Sequence, residues 1–207
     1  MAVTIIVASF GDPKWVTLAE QRAIPSATRQ GNVRTMHVDE PMHVGALRNL
    51  AVDSFDPQGW MCFLDPDDEL ADGYIAAMTA EPMNDNHLYV PALQLVRRGV
   101  RPPDAPQILN NRDIVNGLNP CPIGTLIHRS TFEDAGRFWD ERAWEDWSLF
   151  RRAVLGGSTL RFVPDAVYRA YMSPDGRNST VIKPAQLRSD ILESHERWLH
   201  DRSARDH

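Results

Sequence analysis

Two cysteines in 207 residues are too few for a disulfide framework. Their settings do not suit a zinc site either, since Cys62 lies inside an apolar run and Cys121 between two prolines. Both read as reduced packing residues. Long hydrophobic runs are also missing. The opening MAVTIIVASFGDPK has a short apolar run with no basic residue before it, and no later segment approaches the ~20 apolar residues of a membrane span. A cytoplasmic protein without a targeting segment or stable membrane association is expected. Basic charge is scarce relative to acid: 22 Lys and Arg against 28 Asp and Glu give a formal charge of −6. Such a field does not attract phosphate backbones or anionic membranes, which disfavours nucleic acid as a partner. Repeats, low-complexity tracts and a linker are absent too, so one compact domain over 1–207 is the expectation.

What is present in the first half is alternation. An apolar strand at 3–10 ends in Gly11-Asp12-Pro13, and 14–24 carries Trp15, Leu18, Ala19 and Arg22 at helical spacing. A second strand at 33–38 ends in Asp39-Glu40, followed by a helix at 44–55. A third strand at 60–64 precedes a predicted helix at 70–80 with Ala71, Tyr74, Ile75 and Met78 on one face. Strand and helix in alternation imply an α/β fold with a mostly parallel, covered sheet. In such sheets ligands sit beyond the carboxyl ends of the strands. Those ends carry Ser9-Phe10-Gly11-Asp12, Asp39-Glu40 and Asp65-Pro66-Asp67-Asp68.

The second half is less regular. It predicts a strand at 88–96, a loop rich in Arg, Pro, Asn and Asp over 97–119, and a strand at 123–128. A short helix at 130–135 is expected to be capped by Ser130, with Glu133 three residues on and Gly136 ending it. A helix at 144–155 closes on Gly156-Gly157. A strand near 160–163, a polar segment at 168–180 and an amphipathic helix at 184–202 follow, the last with Leu187, Ile191, Leu192, His195, Trp198 and Leu199 on one side.

The chemistry concentrates in Phe63-Leu64-Asp65-Pro66-Asp67-Asp68-Glu69-Leu70. Carboxylates one residue apart at a strand end can place oxygens around a hard divalent cation, which keeps several waters and takes its other ligands from substrate phosphates. The same residues also make a solvated turn or cap the next helix. An EF-hand fits poorly, because Leu70 and Ala71 interrupt its ligand pattern. A phosphotransferase with an aspartyl nucleophile is a fairer rival. His37, His43, His87 and His128 show no mutual ligand spacing. Glu145-Asp146 and Arg48-Asn49 have equally plain readings as first-turn acids and helix-surface polar groups.

Taken in order, these segments resemble glycosyltransferase family 2. The likeness runs through Asp39, through Gly45-Ala46-Leu47-Arg48-Asn49 and through Phe63-Leu64-Asp65-Pro66-Asp67-Asp68. It continues in Arg129-Ser130-Thr131-Phe132 with Gly136-Arg137-Phe138, then Trp144-Glu145-Asp146-Trp147, then Tyr168-Arg169. It covers roughly 3–180 and implies a GT-A fold, with about 1–96 binding a nucleotide sugar, about 97–183 serving the acceptor, and 184–207 forming a terminal helix.

The implied reaction is transfer of a sugar from a nucleotide diphosphate sugar, with a UDP-sugar the first donor to test, to a hydroxyl acceptor with inversion. Mn²⁺ or Mg²⁺ is the implied cofactor, with Asp67 its ligand and Asp65 a ligand or nucleotide contact. Ser9, Phe10, Gly11 and Asp39 are implied to hold the nucleoside, and Arg48, Asn49 and Arg169 to serve the donor. Asp146 is the implied base, with Glu145 orienting it or binding acceptor. A cation at the leaving diphosphate would stabilise the charge that grows there in the transition state.

One departure is Tyr171, which stands where many members carry His and is a poor metal ligand when neutral; Asn178 and Ser179 are candidate substitutes. A nucleotide-sugar-binding accessory module, and a metal-dependent phosphohydrolase or nucleotidyltransferase, remain as alternatives. The acceptor class stays open among protein, soluble glycan, small molecule and modified base.

Overall fold

The structure is a computed structural model in which residues 2–96, 111–172 and 184–204 are described. Its centre is a four-stranded sheet in the order β2-β1-β3-β6. The members are β1 (Val3–Phe10), β2 (Asn32–Val38), β3 (Trp60–Leu64) and β6 (Ile127–His128). The first three are parallel and β6 runs antiparallel to β3. All of β3 is buried, as a strand covered on both faces must be, and its continuous apolar run is the sequence form of that burial. A second sheet, β4-β7-β5, joins β4 (Glu69–Leu70), β7 (Thr159–Tyr171) and β5 (His87–Val96). The bridge Tyr89–Leu126 ties β5 to the segment leading into β6.

Helices cover the sheets. α1 (Lys14–Leu18), a π-helical turn (Ala19–Ala23) and α2 (Ile24–Thr28) form one continuous helical stretch, longer than the predicted 14–24. The wide turn ends two residues before Pro25, which has no N–H to give to the carbonyl of Gln21 within that turn. α3 (Val44–Phe55) follows the prediction. Gly45 permits its close approach to the chain at Phe138 and Trp139, because a Cβ there would lie 2.7 Å from the Trp139 carbonyl oxygen.

Three expected strand and helix extents need correction. The predicted helix at 70–80 is instead the strand β4 followed by the short α4 (Tyr74–Met78), since Glu69 and Leu70 pair with Arg169 and Tyr168 of β7. The predicted strand at 160–163 and the start of the polar segment, as far as Tyr171, are one long strand, β7, aligned along β5 with a register shift at Pro91/Ala92, while 173–180 of that segment lie outside the described residues. The predicted strand at 123–128 shrinks to β6, and Gly124 sits tightly under the rings of Tyr168 and Tyr74.

The remaining helices are α5 (Asn111–Val115), α6 (Arg129–Asp134), α7 (Glu145–Leu155) and α8 (Pro184–Ser203). The cap of α6 is His128 rather than Ser130. Its Nδ1 accepts from the Ser130 N–H, and Glu133 pairs with Arg129 at 2.7 Å instead of closing a capping box. α8 docks on α7 through Ile191 and through His195, which is fully buried. Arg151 donates to His195 Nδ1 at 2.7 Å, so Nε2 carries the proton toward Ser148 Oγ at 2.9 Å, and the Ser148 hydroxyl donates to Glu141 at 2.6 Å. Burial and the neighbouring Arg151 and Arg152 push His195 down to about 3, which keeps it neutral at physiological pH. Cys62 and Cys121 are buried free thiols, as expected.

Candidate active site

The carboxyl ends of β1 and β3 open into a cleft of about 580 Å³, where the topology of such sheets puts ligands. Ser9, Phe10 and Trp15 line one part of it, and Asp65, Asp67 and Asp68 the floor beyond β3. Arg48, Glu145 and Asp146 stand together on another side, with Tyr168, Ala170 and Tyr171 of β7 and the chain at 119–123 completing the wall.

The three aspartates are held differently. Asp65 accepts from Arg48 Nη2 at 2.6 Å. Asp68 is turned inward: its oxygens accept from the Tyr168 hydroxyl at 2.7 Å and from the Tyr171 N–H at 2.8 Å. Burial, with Asp65 and Asp67 adding like charge, raises the Asp68 carboxyl well above its ordinary value. Asp68 therefore anchors the loop to β7. Asp67 is half-buried and lines the cleft, and its backbone carbonyl is held by Arg22 Nη1 at 3.0 Å.

Across the cleft, Trp144 enters α7 with φ +62°, a left-handed conformation uncommon for a bulky residue. The next two residues are Glu145 and Asp146. Glu145 is buried and accepts from Arg48 Nη1 at 2.6 Å. One guanidinium, 3% exposed, thus bridges the carboxylates after β3 to those opening α7. Burial alone lowers such a cation; Asp65, Glu145 and Asp146 outweigh it and raise Arg48 above its ordinary value. Its plane also lies 5.4 Å from the Phe138 ring. Asp146 accepts from its neighbour Trp147 N–H at 2.7 Å, with the Asn119 amide at 3.5 Å. Burial and the adjacent Glu145 push it up to about 7 despite the favourable helix start.

Four of the sequence candidates stand away from the cleft wall. The Asn49 amide clamps the backbone of Phe138, donating to the carbonyl at 2.9 Å and accepting from the N–H at 3.1 Å. Arg169 points to the other face of β7, where it meets Gln94 at 3.1 Å and Glu69 at 3.9 Å. Gly11 has φ +70° and its N–H bonds the Val38 carbonyl, tying the ends of β1 and β2. Asp39 is 99% exposed. Its link to the cleft runs through His37, 3.5 Å away, whose other ring nitrogen is 2.9 Å from Ser9 Oγ. Asn178 and Ser179 lie outside the described residues, as does 97–110 of the predicted acceptor loop.

Sequence reasoning missed Trp15, Asn119 and Arg22. Trp15 was legible only as a helix-face residue, and Asn119 and Arg22 act across more than twenty residues of chain, where local patterns carry no signal.

Among solved structures, TarS 1–349 of S. aureus in complex with UDP-GlcNAc superposes with TM-score 0.71 at 14% identity, over 94% of this chain and 65% of that one. The same protein in complex with UDP gives 0.60 at 15% identity, over 94% and 70%. The chain has the GT-A fold. That fold reaches GalNAc-T7 with UDP, GalNAc and Mn²⁺ at TM-score 0.55 and 14% identity, over 84% of this chain and 44% of that one. This GT-A chain spans about two thirds of the length of the TarS 1–349 chains it matches and 37% of the longer TarS chain. No protein-family model matches it, and no curated protein matches it in sequence. No described helix is long and apolar enough to cross a membrane.

A hard cation fits the donor set beyond β3. Among the described residues no three His, Cys, Asp or Glu side chains group as a metal cage. Asp67 and the Asp65 oxygen not taken by Arg48 still offer what Mg²⁺ or Mn²⁺ takes from protein when substrate phosphates supply the rest, namely one or two carboxylates.

Proposed function

We propose that the chain is an inverting glycosyltransferase using a nucleotide diphosphate sugar, with a UDP-sugar the first donor to test and a hydroxyl-bearing acceptor. The observation that carries this reading is the Arg48 bridge: it joins, within one cleft, a carboxylate loop suited to a cation on a diphosphate and a half-buried aspartate whose pKa stands at about 7. The UDP-GlcNAc and UDP complexes of the structural neighbours support the choice of donor, and the GalNAc-T7 complex with Mn²⁺ supports the choice of cofactor.

In this mechanism Asp67 and Asp65 would hold the cation, whose charge, when it is bound, would offset the negative charge gathering on the leaving diphosphate. Ser9, Phe10 and Trp15 bind the nucleoside end. Asp146 accepts the proton of the acceptor hydroxyl as its oxygen attacks the anomeric carbon on the face opposite the diphosphate, which inverts the configuration. A carboxylate with a pKa near working pH is both deprotonated often enough and basic enough for that step. Glu145, held in place by Arg48, keeps a second carboxylate charge beside Asp146 and sustains its raised basicity. Asp68 and Tyr168 hold the loop while the diphosphate departs.

Calorimetric titration with UDP, GDP, ADP and CDP, each with and without Mn²⁺, tests the reading. Manganese-dependent binding of one nucleotide, followed by release of that nucleoside diphosphate from its sugar when a hydroxyl acceptor is added, is the expected result. Pyrophosphate release, or no nucleotide binding at all, would overturn it in favour of a nucleotidyltransferase or an unrelated role.

A further inference from the structure

The helical stretch before β2 presents a polar stripe to the loop that carries the carboxylates. Arg22 donates to the Asp67 carbonyl at 3.0 Å. Four residues on, Ser26 Oγ accepts from the Leu70 N–H at 3.2 Å and donates to its own helix at Ala23. Four further, Gln30 donates to the Ala71 carbonyl at 3.0 Å. The spacing stacks Arg22 and Ser26 one turn apart along the helical stretch, with Gln30 in the turn that follows α2, and each grips backbone rather than side chain. The chain from Asp67 to Ala71 is thus fixed from behind.

Arg22 differs from the other two members. It belongs to the π-helical turn Ala19–Ala23, a local widening that is frequent at functional sites. Its guanidinium also stacks on the Tyr171 ring, 4.2 Å from the centroid. Tyr171 in turn gives its N–H to Asp68 at 2.8 Å. One planar cation therefore touches both strands of the wall that flanks Asp67: the loop by a hydrogen bond, β7 by its aromatic face. Lys could supply the charge, but not the planar stack together with a directed N–H.

We propose that Arg22, seated by the π-helical turn on Tyr171, is a positioning residue that sets the Asp67 carboxylate for the divalent cation. The assignment rests on the proposed metal-assisted function. Groups behind a ligand orient it, and their loss typically lowers metal affinity by about 10–100-fold. Position 171, where the chain departs from the family it resembles, then has a role of its own as the platform for Arg22.

The test is calorimetric titration of Mn²⁺ into the full chain with saturating UDP, alongside thermal melting, for the parent protein and for Arg22→Gln, Arg22→Lys, Tyr171→Leu and Gln30→Ala. Arg22→Gln is expected to weaken Mn²⁺ binding at least tenfold. Tyr171→Leu should weaken it in the same direction, Arg22→Lys should restore it only in part, and Gln30→Ala should lower the melting temperature with Mn²⁺ affinity unchanged. Should Arg22→Gln not fold, Tyr171→Leu and Arg22→Lys decide by the same readout. Equal Mn²⁺ affinity in the parent and in the folded position-22 and position-171 variants would overturn the proposal and leave the function standing. A parent protein that binds no Mn²⁺ with any nucleoside diphosphate would overturn the metal-assisted function and this proposal with it.

Discussion

The two acidic clusters of the cleft are made of the same residue types and are handled in opposite ways. After β3, three aspartates within four positions are pulled apart in direction: Asp65 goes to Arg48, Asp68 to Tyr168 and the Tyr171 N–H, and Asp67 to the cleft. At the start of α7, two adjacent acids are instead held together in a buried place. Glu145 takes the guanidinium, and Asp146 is left beside it with its pKa raised to about 7. The count of carboxylates therefore says little about their chemistry. Direction separates the first set into an anchor and the two carboxylates proposed for the cation, whereas burial with one shared guanidinium leaves the second set with the raised carboxyl proposed as the base.

The largest effect that would break this comparison is on turnover. Asp146→Asn keeps the shape and removes the proton acceptor, so sugar transfer should fall by about 10²–10⁴-fold while the Kd for UDP stays near that of the parent. An Asn variant with full kcat would return Asp146 to the status of a first-turn acid. Next comes the shared cation. Arg48→Met leaves Glu145 buried without a partner, and chemical denaturation should show a loss of roughly 3–5 kcal/mol. The double change Arg48→Met with Glu145→Gln should recover much of that loss, because the uncompensated charge is gone.

The pH profile sharpens the same contrast. With a folded pKa of about 7, Asp146 is protonated and inactive as a base below neutrality. The kcat/KM for transfer should therefore fall about tenfold per pH unit below 7 and level off above it. Glu145→Gln, by removing the neighbouring like charge, should move that limb to lower pH. The sign for stability is the reverse: a carboxyl raised on folding binds its proton more tightly in the native state. Its contribution is thus greatest in acid and is lost as pH rises from the ordinary carboxylate range through about 7. The smallest effect belongs to Asn49→Ala, which strips two hydrogen bonds from the Phe138 backbone. A loss of about 1–3 kcal/mol in a denaturant melt, with nucleotide affinity unchanged, would mark it as a clamp.

Much of the first sheet was legible. The runs at 3–10 and 60–64 are strands because both faces of each are covered, and continuous apolar sequence is the local signature of that burial. The site at the strand ends followed from topology. The second sheet was not legible. Glu69 and Leu70 look like the start of a helix until Tyr168 and Arg169, a hundred residues later, pair with them. Likewise, 168–171 looks polar and irregular because its pairing partner is β5, and no local period reports a partner at that distance. The cleft brings together Asp65, Asp67, Glu145 and Asp146, which the ordered motifs of the family resemblance had singled out. The roles of Asn49, Arg169 and Asp68 were not legible, since each depends on which way a side chain points.

The sequence by itself determined the α/β alternation, the acid-rich strand end and the pair of acids opening α7, because these depend on composition and on spacings of a few residues. Only the tertiary structure decided that Arg48 would join the two acidic clusters, that Asp68 would be an anchor and that Asp146 would stand near neutrality. The physical reason is that direction, burial and the sharing of one charge among several partners are properties of assembled neighbours, and those neighbours lie up to a hundred residues apart in the chain.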